Sequence, residues 1–188
     1  MKPIRVIHIF GASGSGATTL ARAVATRYGY RFVDVDDAMW EPTDPPFTVR
    51  RPDAEIRSRI ERELKLAERS VLSGAIVGWG DAFIPAIDLA VYMHLPVDIR
   101  IDRINARERS RFGARVEPGG DLYQQHLDFI EWARSYDSDD PTRRSRAQHE
   151  RWLTRLSCPV IRIERPQPLE DLVALVGAQL GPSPEVFR

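Results

Sequence analysis

A glycine-rich loop near the start of the chain carries the clearest chemistry in the sequence. It reads Gly-Ala-Ser-Gly-Ser-Gly-Ala-Thr-Thr over residues 11–19, between an apolar β-branched run and a helix-like segment. Its glycines let the backbone turn tightly, so that successive N–H groups and the following helix N-terminus face the oxygens of a phosphate. The spacing predicts a P-loop that binds nucleotide phosphates.

One position of this loop departs from the motif. Ala17 stands where a lysine ordinarily follows the last glycine, whereas Thr18 stands where the hydroxyl of the motif holds Mg²⁺. Because that lysine bridges the β- and γ-phosphates, its loss puts turnover in doubt more than binding. The alternative interpretation is an ordinary glycine-rich turn between a strand and a helix. The predicted nucleotide-binding residues of the loop are Gly11, Ser13, Gly14, Ser15, Gly16, Ala17, Thr18 and Thr19.

A cluster of aspartates follows the second strand-like segment, at Asp34, Asp36 and Asp37. A carboxylate at this place is suited to accept a proton from an attacking hydroxyl or to hold Mg²⁺. We predict catalytic roles for Asp34 and Asp36, and metal ligation by Asp36 together with Thr18. The alternative is a polar turn whose carboxylates cap the next helix.

A second glycine-rich turn, Gly78-Trp79-Gly80-Asp81, follows the third apolar segment. Its glycines permit a ligand to approach the backbone, and Trp79 offers a face for stacking on a ring. Asp81 offers a second carboxylate on the metal side. We predict that these residues bind the acceptor substrate, the alternative being a turn around a packed tryptophan.

Arginine is by far the commoner basic residue, with 25 arginines against two lysines. Arg100, Arg103, Arg107 and Arg111 recur at helical spacing, and the segment then runs into glycine-rich breaks at 113 and 118–120. Such a composition predicts a lid over residues 107–121 that closes over phosphates, because the planar guanidinium makes several contacts to one phosphate. The alternative is a surface stripe paired with neighbouring acids. The favoured catalytic arginines are Arg107, Arg111 and Arg115.

Strands and helices alternate along the chain. We predict strands at about 4–10, 31–34, 70–75, 88–95 and 159–163, and helices at about 17–28, 52–68, 96–113, 121–135, 142–156 and 168–179. This alternation indicates an α/β fold with a parallel sheet covered by helices on both faces. Ligands bind such sheets beyond the carboxyl ends of the strands, where the loop, the aspartates and the second glycine-rich turn fall.

Composition narrows the class of protein further. A length of 188 residues with 43% hydrophobic and 29% charged residues predicts one globular domain over 1–188. The net charge of zero gives no basis for binding nucleic acid or membranes. Cys158 is the lone cysteine, no secretory signal or membrane span is recognisable, and we expect a cytoplasmic protein.

The order of these motifs resembles the P-loop small-molecule and nucleoside monophosphate kinases, of the adenylate kinase-like and shikimate kinase-like forms, from Ile4 to about Leu180. The resemblance implies a three-layer sandwich with a five-stranded parallel sheet in the order 2-3-1-4-5. It also implies that ATP and Mg²⁺ are used, and that the segment near Arg165 packs on adenine. In shikimate kinase-like proteins the matching positions touch the acceptor or the metal, and here they are Asp34, Asp36, Gly78 and Gly80.

The chain also resembles bacterial proteins labelled as adenylate kinases or P-loop ATPases, through segments 42–47, 78–81, 111–113 and 118–121. The function predicted from all these signals is transfer of the γ-phosphate of Mg-ATP to a small-molecule or nucleotide acceptor, with an arginine replacing the missing lysine. Trp40, Phe47 and Trp79 predict an aromatic acceptor pocket. The alternatives are a non-catalytic nucleotide-binding regulatory protein and a slow NTPase.

Overall fold

A five-stranded parallel sheet forms the centre of the computed structural model, which describes residues 3–138 and 143–180. The strands are β1 Val6–Gly11, β2 Arg31–Asp34, β3 Ser70–Ser73, β4 Leu89–Met93 and β5 Val160–Ile163. Their spatial order is β2-β3-β1-β4-β5, and every neighbouring pair is parallel. The predicted fold class and strand order are therefore confirmed.

Helices connect the strands and cover the sheet. They are α1 Ala17–Tyr28, α2 Val35–Met39, α3 Asp53–Lys65, α4 Val97–Phe112, α5 Tyr123–Arg134, α6 Arg146–Leu153 and α7 Leu169–Gly177. Short 3₁₀ helices form at Asp81–Ala86, Gly113–Val116 and Ser135–Asp137. The short α2 was not predicted, and residue 142 of the predicted helix 142–156 lies outside the described residues. Within the described part of the chain, no helix is long and apolar enough to cross a lipid bilayer.

The core divides into two layers because side chains alternate across each strand. Ile7 and Ile9 of β1 pack with Leu20 of α1 and Val176 of α7 on one face of the sheet. On the other face, Phe10 joins residues of α3 and α6 such as Ile56, Ile60 and Trp152. These residues are almost completely buried, so hydrophobic burial on both faces fixes the position of β1 and of the loop that follows it.

His8 contributes a polar link inside this core. Its ring stacks on Phe10 with 4.4 Å between centroids, and its Nε2 donates to the carbonyl oxygen of Gly74, 2.8 Å away. Complete burial lowers the pKa of His8 to about 4, which keeps the ring neutral at ordinary pH. The histidine therefore holds the backbone just after β3, at the edge of the sheet where the cleft opens.

Candidate functional site

A cleft of about 1090 Å³ opens at the carboxyl ends of the strands, where ligands bind in sheets of this class. Its floor is the glycine-rich loop, and its walls come from α2, α4, α5 and the segment after β5. The predicted site residues that line it are Gly11, Ser13, Gly14, Ser15, Gly16, Ala17, Thr18, Thr19, Asp34, Asp36, Arg107, Arg111 and Arg165.

The backbone of the glycine-rich loop adopts a conformation that residues with a Cβ rarely adopt. Gly14 and Gly16 have φ of 81° and 94°, in the left-handed region that glycine adopts freely. A Cβ on Gly14 would lie 2.3 Å from the carbonyl oxygen of Arg100 in α4. The N-cap of α1 makes no side-chain hydrogen bond, and the first turn of that helix carries no acidic residue. The helix N-terminus is thus left to attract an anion.

Two hydroxyls lie at the boundary between this loop and the sheet. Ser73 at the end of β3 donates from Oγ to Oγ1 of Thr18, 3.4 Å away. Among the described residues, no group of three or more histidine, cysteine or acidic side chains is arranged to hold a metal ion. The oxygen donors present, including the nearby carboxylates, fit Mg²⁺, which ordinarily shares its coordination between a few protein oxygens and the phosphates of a substrate.

Asp34 fulfils the capping role that the sequence left as the alternative. Its Oδ1 accepts a hydrogen bond from the backbone N–H of Asp36 at the start of α2, and Arg22 lies 3.7 Å from its other oxygen. Burial raises the pKa of Asp34 to about 6, and the carboxylates of Asp36 and Asp37 act in the same direction. The capping hydrogen bond and Arg22 oppose this shift only in part.

Asp34→Asn is expected to stabilise the protein above the pKa of the native carboxyl. The folded state binds the Asp34 proton more tightly than the unfolded chain, so its contribution to stability is present at low pH and is lost as pH rises through about 6. Asparagine keeps the capping oxygen without the charge. Urea unfolding should show a gain of about 1–2 kcal/mol near pH 8 and little change near pH 4. A less stable variant near pH 8 would contradict this account.

Asp36 is a free carboxylate that lines the cleft. Within the described residues its side chain makes no hydrogen bond or ion pair, and water reaches it from the cleft. Desolvation by the walls of the cleft nevertheless raises the pKa of Asp36. The charges of Arg144, Arg107 and Arg111 oppose the shift. A carboxylate placed in this way is able to accept a proton from a hydroxyl group.

The arginines of α4 face several different environments. Arg100 is fully buried, whereas Arg103 donates from its NH1 to the carbonyl oxygen of Ser15, 3.1 Å away. Arg107, paired with its neighbour Glu108 at 2.9 Å, lines the cleft together with Arg111. The stripe expected from the spacing is therefore divided between the core, the P-loop and the cleft wall.

Arg115 does not line the cleft, although the sequence placed it among the catalytic candidates. Its guanidinium bonds Asp121 at 2.6 Å within the predicted lid segment and Asp44 at 2.7 Å in the loop before α3. These contacts leave Arg115 at the outer edge of the molecule, joining two segments that flank the cleft.

The turn Gly78-Trp79-Gly80-Asp81 also lies away from the cleft. Asp81 accepts hydrogen bonds from Trp152 (3.1 Å) and Arg155 (2.7 Å), and Trp79 packs on Phe83. β3 ends earlier than expected, at Ser73, so the backbone beside the P-loop is Gly74-Ala75. The structure does not bring these four predicted acceptor-binding residues to the cleft.

Aromatic rings also line the cleft. Trp40 and Phe47 meet edge to face with 6.2 Å between centroids, and Phe129 and Trp132 of α5 stack at 5.8 Å. This pocket fits the predicted aromatic acceptor side, except that Trp79 takes no part. Arg165 and Pro166 line the cleft after β5.

Arg144 is a cleft residue that the sequence motifs did not indicate. It lies just before α6, and its NH2 donates to Oγ of Ser13, 3.3 Å away in the P-loop. No motif surrounds it, and its place in the cleft arises from the packing of α6 rather than from spacing along the chain. The arginine content of the segment was the available signal, and it did not single out this position.

The sequence of the chain matches a known domain family and a bacterial protein. A sequence model of the AAA domain matches residues 7–117, which is more than half of the chain and includes the P-loop, Asp34, Asp36 and α4. The chain belongs to the AAA domain family. It is 43% identical over 158 residues to the uncharacterized protein YqaC of Bacillus subtilis (strain 168), over 84% of this chain and 87% of that protein.

Some of the other proteins that the chain resembles carry kinase names. The chain is 27% identical over 113 residues to the cytidylate kinase of Pyrococcus furiosus, over 55% of this chain and 57% of that enzyme. A solved shikimate kinase from Acinetobacter baumannii, in complex with shikimate, has the same fold, with a TM-score of 0.53 and 21% identity over 94% of this chain and 92% of that one. This AAA-domain chain is thus a P-loop kinase-like protein, as its motifs predicted.

Proposed function

We propose that this protein transfers the γ-phosphate of Mg-ATP to a small-molecule or nucleotide acceptor. One observation carries the proposal: a P-loop, a free carboxylate and several arginines line the same cleft. The P-loop N–H groups bind the nucleotide phosphates, and Asp36 accepts the proton of the attacking acceptor hydroxyl or phosphate. Arg107 and Arg111 lie on the same wall and offset the charge that spreads over the transferred phosphoryl oxygens.

Mg²⁺ belongs to this proposal because the donor set suits it. Thr18 and Ser73 supply hydroxyl oxygens beside the loop, and Asp34 supplies a carboxylate in the same cleft, which leaves Asp36 free to accept the proton. When bound, the ion neutralises charge on the phosphates of the nucleotide. The protein side chains meanwhile orient the acceptor and keep the phosphate oxygens within reach of the arginines.

We further propose that residues 107–121 act as a lid within one domain spanning 1–188. The segment meets the loop before α3 through the ion pair of Arg115 with Asp44 (2.7 Å) and through Arg111, which lies 5.8 Å from the ring centroid of Phe47. Exposed ion pairs of this kind contribute about 0–1 kcal/mol, so the contact is weak enough to open and close.

A γ-phosphate transfer screen tests the proposed function. Labelled ATP and Mg²⁺ would be incubated with the protein and with separate acceptors, beginning with nucleoside monophosphates because cytidylate kinases are among its relatives. Small hydroxylated acids and sugars would follow. The proposal predicts labelled product with one acceptor class and ADP formed in equal amount. ADP release without labelled product would instead indicate a slow NTPase.

A non-catalytic nucleotide-binding protein is the second candidate function, and Ala17 favours it. Of the two lysines, Lys65 ends α3 and does not line the cleft, and Lys2 lies outside the described residues. The outcome expected for this candidate is ATP binding with no product and no ADP in the same screen. Turnover with any acceptor would exclude it.

A further inference from the structure

Arg144 occupies the point where the phosphate loop and the acceptor side meet. Its guanidinium donates to the hydroxyl of Ser13 in the P-loop, 3.3 Å away, and it also interacts electrostatically with Asp36. The ring of Trp132 lies beneath it, with 4.7 Å from the guanidinium carbon to the ring centroid. A phosphoryl group that passes from a nucleotide on the loop to an acceptor at Asp36 must cross this position.

The guanidinium has unused hydrogen-bonding capacity there. In the part of the chain that the structure describes, no carboxylate forms an ion pair with Arg144, and its buried Nε has no hydrogen-bond partner. Burial lowers the pKa of Arg144, against the pull of the Asp36 charge. A half-buried cation without an ion-pair partner costs free energy, so this arrangement favours an incoming anion.

The chain segment that carries Arg144 is firmly held. Ser145 caps α6 by accepting a hydrogen bond from the N–H of Gln148. One turn later, a hydrogen bond of 2.6 Å joins Nδ1 of His149 to the hydroxyl of Tyr136, which is itself 2.8 Å from the hydroxyl of Tyr92. Because this network is buried, Arg144 is fixed relative to β4 and needs no large movement to act.

The other arginines near the loop are placed differently. Arg103 contacts the carbonyl oxygen of Ser15, and Arg107 is already paired with Glu108. Arg111 lies 5.8 Å from the ring centroids of Phe47 and Phe112. Arg144 combines a hydrogen bond to a P-loop side chain with proximity to Asp36, which is the combination that a substitute for the missing lysine requires.

We propose that Arg144 replaces the P-loop lysine by binding the γ-phosphate, an inference that rests on the proposed function. During transfer the acceptor oxygen bonds to the γ-phosphorus while the bond to the β–γ bridging oxygen breaks. ADP leaves with that electron pair, and the acceptor proton passes to Asp36. Arg144 stays protonated throughout and donates hydrogen bonds to the γ-phosphate oxygens as their charge is redistributed.

Calorimetric titrations with the Mg²⁺ complexes of AMP-PNP, a non-hydrolysable ATP analogue, and of ADP test this assignment. Arg144→Ala should weaken AMP-PNP binding about 10- to 100-fold, the range for charge-assisted hydrogen bonds, and change ADP binding less than about threefold. Arg144→Gln keeps a donor for Ser13 and serves if the alanine variant folds poorly. Arg151→Ala, at an exposed position of α6, is the matched control and should change neither affinity.

A rescue experiment separates this role from a structural one. The double variant Arg144→Ala/Ala17→Lys should bind AMP-PNP at least about tenfold more tightly than Arg144→Ala alone, because lysine at 17 restores the ordinary motif. Unchanged AMP-PNP affinity in the single variants, or equal losses for both nucleotides, would overturn the assignment and leave the proposed function standing. A wild-type protein that binds neither nucleotide would overturn both.

Discussion

Asp36→Asn should lose phosphoryl transfer almost completely while keeping its affinity for ATP. The carboxylate lies in the cleft among the charges of Arg144, Arg107 and Arg111, and it makes no hydrogen bond or ion pair within the described residues. Asparagine has nearly the same shape and cannot accept the acceptor proton. Loss of a general base typically lowers the rate about 10²- to 10⁴-fold.

The measurement is the transfer rate with the acceptor found in the screen, together with a calorimetric ATP titration of the same variant. Asp98→Asn is the matched control, because Asp98 is an exposed residue in the first turn of α4 outside the cleft. Transfer at the wild-type rate in Asp36→Asn would remove the proposed base. Loss of ATP binding in parallel with transfer would move Asp36 from the acceptor side to the nucleotide side.

Arg100→Met should cause a large loss of stability. The Arg100 side chain is fully buried and donates to the carbonyl oxygens of Leu95 and Ala133 and to the carboxylate of Asp137, at 2.7–3.0 Å. Methionine fills similar volume without these donors, so buried carbonyls lose their partners. Removing one member of a buried ionic network costs about 3–5 kcal/mol.

Urea denaturation measures this loss as a change in the free energy of unfolding. The control is Arg109→Met on the same helix, whose exposed pair with Glu117 should contribute about 0–1 kcal/mol. Because the backbone oxygen of Arg100 also packs against Gly14, the Arg100 variant is expected to loosen the P-loop as it loses stability. Equal effects of the two substitutions would show that burial of Arg100 contributes nothing.

The features that sequence reasoning predicted correctly are those with local physical causes. Apolar β-branched runs predicted the strands, and the alternation with helices predicted a parallel sheet. Gly14 and Gly16 indicated the P-loop, because few other residues adopt the left-handed backbone conformation that these positions have. Polar residues at the ends of β1 and β2 converge on one cleft because parallel strands present their carboxyl ends on one edge.

The features that could not be predicted from the sequence depend on packing between segments that are distant along the chain. Helical spacing placed Arg100 on the same stripe as Arg107, yet Arg100 is buried against Leu95, Ala133 and Asp137, whereas Arg107 lines the cleft. Arg144 reaches Ser13 across 131 positions of sequence. Asp81 looked like a cleft carboxylate but bonds Trp152 and Arg155, which no local pattern relates to it.

The electrostatic character of the site follows from the same packing. Asp34 and Asp36 both have raised pKa values because the cleft walls desolvate them, and Arg144 is held beside them without an ion-pair partner in the described residues. Such an arrangement costs folding stability and suits a site built for an anionic ligand. Asp34→Asn is expected to stabilise the protein because it removes one of these desolvated charges. Arg144 is expected to favour AMP-PNP over ADP because the γ-phosphate supplies the anion that the site lacks.

A calorimetric titration of Mg-ATP into the wild-type protein and into Thr18→Ala tests most directly whether a P-loop with Ala17 still works. Thr154→Ala, an exposed threonine after α6, is the control. We expect micromolar binding to the wild type and to the control, and binding that is weaker by about tenfold or more in Thr18→Ala. No binding to the wild type up to millimolar ATP would contradict it.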